Sequence, residues 1–220
     1  MTRILALDTT ADIGSLALLE DSALCEEVLL KSEDGFAHLL FAQIDLLLRR
    51  YGWPLSSIGC FAAAAGPGSF TGVRVGLTTA KGFAETLGVP AVGISNLEAI
   101  ASFGTADLRA PVFDARRGEI YGAVYRRDGT IVQDEQVRKF GDWLAHLPEG
   151  VELISPTPAL FAPMLRGTPF EQAGFTEAPR GLAAAIGRIA ALRQASVGDP
   201  VGLDANYVRR SDAELLWRDR

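Results

Sequence analysis

Apolar and polar positions change period once in the first third of the chain. Arg3–Thr9, Ser15–Leu19 and Ala23–Leu30 are short apolar runs, and Asp21-Ser22 is a turn between the last two. Spacings this short predict antiparallel hairpins. From Phe36 to Arg50 the period becomes helical, with Phe36, Leu39, Leu40, Gln43, Ile44, Leu47 and Tyr51 in phase. Asp34 is the expected N-cap, and Arg49 and Arg50 suit the C-terminal end of the helix dipole. A single core-facing stripe needs roughly three or four apolar positions per two turns. This helix also carries Phe41, Leu46 and Leu48, so its apolar residues cover more than one face. Either it is sandwiched inside its domain or a second face meets a partner, and the partner is the preferred reading.

Ile58–Ala65 then reads as a strand, Thr71–Leu87 as a helix closed by Gly88 and Pro90, Ala91–Ile94 as a strand and Asn96–Phe103 as a short helix. The first half is therefore β-β-β-α-β-α-β-α, an α/β design with crossover helices. Gly104–Arg109 is small and polar and marks the expected boundary, giving lobes 1–105 and 106–220. The second half echoes the first. It has strands over Ala110–Asp114, Glu119–Arg126 and Thr130–Val137 with Asp128-Gly129 as a hairpin turn, a helix over Phe140–Leu147 and a strand over Val151–Ser155. The five prolines of Pro156–Arg180 predict irregular chain. Gly181–Gln194 is expected to be an amphipathic helix, within the second lobe or packed back on the first. A short polar tail, Asn206–Arg220, follows with Tyr207, Val208 and Trp217 as anchors.

The chemistry concentrates in AAAAGPGSFTGVRVG, Ala62–Gly76. A P-loop fails because Thr71 stands at its second glycine and no Gly-Lys follows. The G-x-G-x-x-G fingerprint fails at the same residue. A G-x-S-x-G elbow around Ser69 fails at Pro67 and Thr71. What survives is a strand-to-helix turn whose amides near Gly68, Ser69, Thr71 and Gly72 suit an anion. Arg74 in the first helical turn opposes the dipole, which points to a carboxylate or phosphate elsewhere as its partner. Asp8, ending the first strand in LALDTT, and Asp114, in VFDARRGEIYGAVY, stand where an actin-like ATPase would place its two aspartates. Against that, Ala115, Arg116 and Arg117 occupy the turn that should grip phosphate.

Composition narrows the classes. The chain has 220 residues, 48% of them hydrophobic, a net charge of −6 and a pI near 5.0. This balance disfavours direct tRNA or DNA binding. Arg116, Arg117, Arg126 and Arg127 form a local basic patch whose simplest reading is a solvated hairpin. Cys25 and Cys60 lack CxxC spacing and read as buried thiols. His38 and His146 have no metal-ligand spacing, and neither completes a Ser/His/Asp set, so no metal, cofactor or catalytic residue is expected. Asp8 and Asp12 interrupt the first apolar stretch before it reads as a leader, and no run reaches the ~20 apolar residues of a membrane span. A cytoplasmic protein is expected.

LALDTT, GPGSFTGVRVGLTTAKGFA, DARRGEIYGAVY and the closing NYVRR together resemble the TsaB (YeaZ) family, accessory proteins of bacterial tRNA threonylcarbamoyladenosine synthesis. The resemblance covers nearly the whole chain. It implies an actin-like (ASKHA, ribonuclease H-like) two-lobed fold with a degenerate second lobe, and a scaffold without catalysis of its own. It further implies pairing with the catalytic subunit TsaD, support for the ATPase TsaE, a homodimer when alone, and tRNA met only through the complex. The interface it implies lies on the long first helix and the helix after the glycine turn. That places Phe36, Leu39, Leu40, Gln43, Leu47, Arg74 and Thr78 at the partner. Asp8, Gly68, Ser69, Thr71 and Gly72 are then the anion or nucleotide candidates. The rivals are an active ATPase or phosphotransferase using Asp8 and Asp114, and a peptidase, as older family labels imply.

Overall fold

The computed structural model describes residues 1–193 and 204–208. The chain divides into two units: Met1–Asn96 with Gly181–Asn206, and Leu97–Arg180 with Tyr207–Arg220.

The first unit is built on a five-stranded mixed sheet. β1 (Arg3–Asp8) pairs antiparallel with β2 (Ile13–Glu20), and β2 with β3 (Ala23–Lys31). On its other side β1 pairs parallel with β4 (Cys60–Gly66), and β4 with β5 (Ala91–Ser95), giving the order β3-β2-β1-β4-β5. Nearly every residue of β1, β2 and β4 is buried, because helices cover both faces of the sheet. α1 (Leu40–Arg50) and α2 (Phe70–Leu87) pack on the face of Leu5, Leu7, Leu16 and Leu18. α6 (Ala183–Arg193) lies on the other, where a side chain at Gly187 would meet Leu19 and Ala6. Its residues Ala183–Gly187 are all buried in succession, so it is not amphipathic as its sequence suggests. Alanine and glycine let a helix be buried all round without overfilling the space.

The second unit repeats this topology. β6 (Leu108–Arg116), β7 (Glu119–Arg126) and β8 (Ile131–Lys139) form an antiparallel run, and β9 (Glu152–Ser155) and β10 (Thr176–Glu177) add in parallel on the far side of β6. The order β10-β9-β6-β7-β8 is that of the first sheet read in reverse. The repeat is eroded: β10 has 2 residues, while α4 (Phe140–Leu144) and α5 (Pro158–Phe161) have 5 and 4. Aromatic packing fills one face, with Phe140 stacked on Phe161 and Trp143 fully buried.

Two expected boundaries move. The division falls after Asn96 rather than at 105/106, because Leu97 and Ala101 of α3 (Asn96–Ala101) join Ala115, Tyr121, Ala123 and Tyr125 in a second-unit cluster. α1 begins at Leu40, capped without a side-chain bond by Leu39, so Asp34 is not its cap. Phe36–Leu39 forms a preceding turn in which the Phe36 carbonyl accepts from the Leu39 and Leu40 amides.

Candidate functional site

Asp8 ends β1 fully enclosed, at 1% exposure. Its Oδ1 accepts from the Thr10 amide at 3.0 Å and the Thr10 hydroxyl at 2.7 Å. That hydroxyl in turn accepts from Asn96 Nδ2 at 2.5 Å, while Asn96 Oδ1 accepts from the Gly66 amide at 3.1 Å. Three chain segments are thus tied together: the β1–β2 turn, the end of β4 and the end of β5. Asp8 Oδ2 is buried with no hydrogen-bond partner among the described residues. Burial raises the Asp8 carboxyl above its ordinary value, against the lowering effect of the Thr10 bonds. Burial thus works against the charged form that would ligate a cation or a magnesium–phosphate.

The glycine turn closes on the same hairpin. The Ser69 amide donates to the Thr10 carbonyl at 2.8 Å, and the Thr9 hydroxyl to the Gly72 carbonyl at 2.7 Å. A Cβ at Gly68 would stand 2.8 Å from Thr10, and one at Gly72 only 2.0 Å from the Thr9 carbonyl oxygen. Ser69 caps α2 through its hydroxyl, which accepts from the Gly72 amide at 3.3 Å. The Ser69 and Gly72 amides, two of the anion candidates, thus have acceptors within the unit. Thr71 is exposed, Gly68 is half-buried, and the space beside Gly68 belongs to Thr10. Gly66, at φ 101°, faces the tail, whose Asn206 amide donates to the Ala65 carbonyl at 2.7 Å. Arg209 and Arg210 of the NYVRR signature lie outside the described residues, as does Trp217.

The outer helices divide the predicted interface set. Phe36, Leu40 and Leu47 are buried in the unit's own core, so the apolar excess of this helix is partly internal. Leu39 and Gln43 are half-buried. The large exposed apolar residues of α1 are Phe41 and Leu46, at 58% and 51%. Phe41 meets Phe83 of α2 edge-on, with ring centroids 5.7 Å apart, and Phe83 stacks on Phe61 beneath. Arg74, Thr78 and Gly82 follow at i, i+4 and i+8 as one exposed ridge of α2. The Arg74 guanidinium lies over the Phe70 ring, 3.8 Å from its centroid. The Phe41–Phe83 pair and the role of Asn96 escaped the sequence reading. Phe41 shows in the sequence as surplus hydrophobicity, whereas the role of Asn96 gives no signal there.

In the second unit Asp114 is exposed, and its Oδ1 accepts from the Arg116 amide at 2.8 Å. Asp8 and Asp114 each hold their own turn. His38 and His146 are both exposed, and no cluster of three His, Cys, Asp or Glu side chains occurs among the described residues. No described helix is long and apolar enough to cross a membrane.

Comparison with known proteins gives one answer. The family "TsaD: tRNA N6-adenosine threonylcarbamoyltransferase" matches residues 32–187. The chain is 31% identical to the tRNA threonylcarbamoyladenosine biosynthesis protein TsaB of Bacillus subtilis over 97% of both chains. It is 36% identical to TsaB of Escherichia coli over 57% of this chain and 56% of that one. Among solved structures, YeaZ from Pseudomonas aeruginosa superposes with a TM-score of 0.71 and 22% identity, over 94% of this chain and 100% of that one. The ADPNP-bound activator of 2-hydroxyisocaproyl-CoA dehydratase from Clostridium difficile shares the fold at a TM-score of 0.54 and 8% identity, over 89% and 96% of the two chains.

Proposed function

The chain belongs to the TsaB (YeaZ) family and has its actin-like α/β fold, and from that premise we propose that it is a non-catalytic accessory subunit in tRNA threonylcarbamoyladenosine synthesis. Its partner in this reading is a TsaD-type transferase, with a TsaE-type ATPase joining the complex, a homodimer forming in the partner's absence, and the cytoplasm as its compartment.

One observation carries the non-catalytic part. Where an actin-like ATPase opens its first hairpin to a phosphate, this chain closes its glycine turn onto Thr9 and Thr10. Asp8 is spent on the Thr10–Asn96 network. A carboxylate that must ligate a cation needs a path to it, and Asp8 is enclosed at the end of β1, where burial opposes its charged form.

The partner surface in this reading is centred on Phe41 and the Arg74–Thr78–Gly82 ridge, with Leu39 and Gln43 at its margin. An exposed aromatic supported by a second aromatic is a rigid anchor, and the small Thr78 and Gly82 allow close helix approach beside Arg74. Phe41→Glu combined with Thr78→Arg changes two exposed positions and leaves the core intact. Co-purification with a TsaD-type subunit is the test. Loss of the complex with an unchanged melting temperature supports this surface, and an intact complex overturns it.

A further inference from the structure

The β6–β7 turn holds two arginines in left-handed backbone: Arg116 at φ 64° and Arg117 at φ 57°, followed by Gly118 at φ 75°. An L-residue is disfavoured there, and Asn-Gly is the pair that fits such a hairpin turn without strain. Stability of the turn alone does not explain two arginines, whereas a use for their side chains does.

The sheet register gathers more positive charge at the same end. Glu119 pairs with Arg116 on one side and Lys139 on the other, and Ile120 pairs with Arg138. Arg116, Arg117, Arg138 and Lys139 are all exposed. The carboxylates near that sheet end are Asp114, which accepts from the Arg116 amide, Glu119, and Asp142 in the first turn of α4 just beyond Lys139. Four cations against three carboxylates leave a local positive excess on a chain of net charge −6. Arg126 and Arg127 stand at the other end of β7, roughly 20 Å away at the strand rise, and Arg127 pairs there with Asp107 at 3.3 Å. The basic patch that the sequence suggested is therefore two separate sites, and only the first carries the excess.

We propose that Arg116, Arg117, Arg138 and Lys139 form a contact for the phosphate backbone of tRNA. The proposal rests on the reading above that this chain serves tRNA modification. The three strands set these cations across about 10 Å, a span that meets several phosphates of a polynucleotide and exceeds a single phosphate group. Arginine's fork suits phosphate oxygens. The acidity of the remaining chain keeps the contact weak alone, so it adds to an RNA already held in the assembly.

The test titrates fluorescent tRNA with the full chain at about 25 and 100 mM salt. Arg116→Asn/Arg117→Gly removes two charges while suiting the left-handed backbone, so its melting temperature holds or rises. Its affinity at low salt falls about five- to fiftyfold, and the slope of log affinity against log salt shrinks by about 1 to 2. Arg116→Lys/Arg117→Lys keeps the slope. An unchanged affinity and slope in the Asn/Gly variant overturns the proposal, as does salt-independent or absent binding by the wild type. Loss of the protein partner rather than of RNA in that variant also overturns it, in favour of an acidic protein surface. Dependence of tRNA modification on the wild-type chain, measured in parallel, judges the accessory reading separately.

Discussion

Gly72→Ala probes the closure of the glycine turn most sharply. The added Cβ would stand 2.0 Å from the Thr9 carbonyl oxygen, 2.9 Å from its carbon and 3.2 Å from Thr10 Cα. All three are backbone atoms, so no side chain can swing aside, and α2 must withdraw from the hairpin by about 1 Å or more. Overpacking of this kind costs about 1–3 kcal/mol. The withdrawal also strains the Thr9 hydroxyl to Gly72 carbonyl and Ser69 amide to Thr10 carbonyl bonds, worth about 1 kcal/mol each. Alanine returns about 1 kcal/mol of helix propensity. The net expectation is a loss of about 2–4 kcal/mol. Gly82→Ala is the internal control: it lies in the same helix, is exposed, and has nothing within 4 Å of its added Cβ. It is expected to gain about 0.5–1 kcal/mol. Urea unfolding followed by circular dichroism measures both variants. Equal stability of the two would refute the closed turn, because an open phosphate cradle has room for a methyl group.

Asp8→Asn tests the buried carboxyl by pH. The folded Asp8 value lies above its ordinary 3.8, so between the two values the native state holds more protons. The stability Asp8 supports is therefore full below about 3.8 and is lost as pH rises through the folded value. The variant should be the less stable protein near pH 4 and close the gap, or reverse it, by pH 8; a gap that widens contradicts the assignment. Leu47→Glu buries a charge at a position of 1% exposure and is expected to unfold the first unit, while Phe41→Glu should shift stability by less than about 1 kcal/mol. Thermal melts decide between this and an exposed Leu47. Asn96→Ala removes the acceptor of the Gly66 amide and the donor to Thr10, and should cost about 2–4 kcal/mol in the same urea assay.

The continuous apolar runs of β1, β2 and β4 and the 3.6-residue period of α2 are legible in the sequence, because both report local burial. So is the Gly88 stop, where the residue type itself suits the left-handed cap. The destination of the apolar surplus on α1 is not. Periodicity shows that Leu40, Leu47 and Phe41 are apolar, but only tertiary packing sends the first two inward and leaves the third at the surface. A glycine turn between strand and helix predicts outward amides that suit an anion. Contacts between Thr9–Thr10 and Gly68–Gly72, some sixty residues apart, close it, and no local pattern encodes such contacts. The seat of α6 was undecided in the sequence for the same reason. Its alanines and glycines fit either lobe, and the bond from the Ala183 amide to the Ser15 hydroxyl joins it to β2.

The central claim is that this chain assists the modification without lending a reacting group to it. A reconstituted tRNA threonylcarbamoylation reaction, run with the transferase subunit and either the wild-type chain or its Asp8→Asn/Asp114→Asn variant, tests that claim directly. The account predicts modified tRNA in equal yield from both, since each carboxylate holds only its own turn. A folded double variant that still binds the transferase but yields no modified tRNA would contradict it.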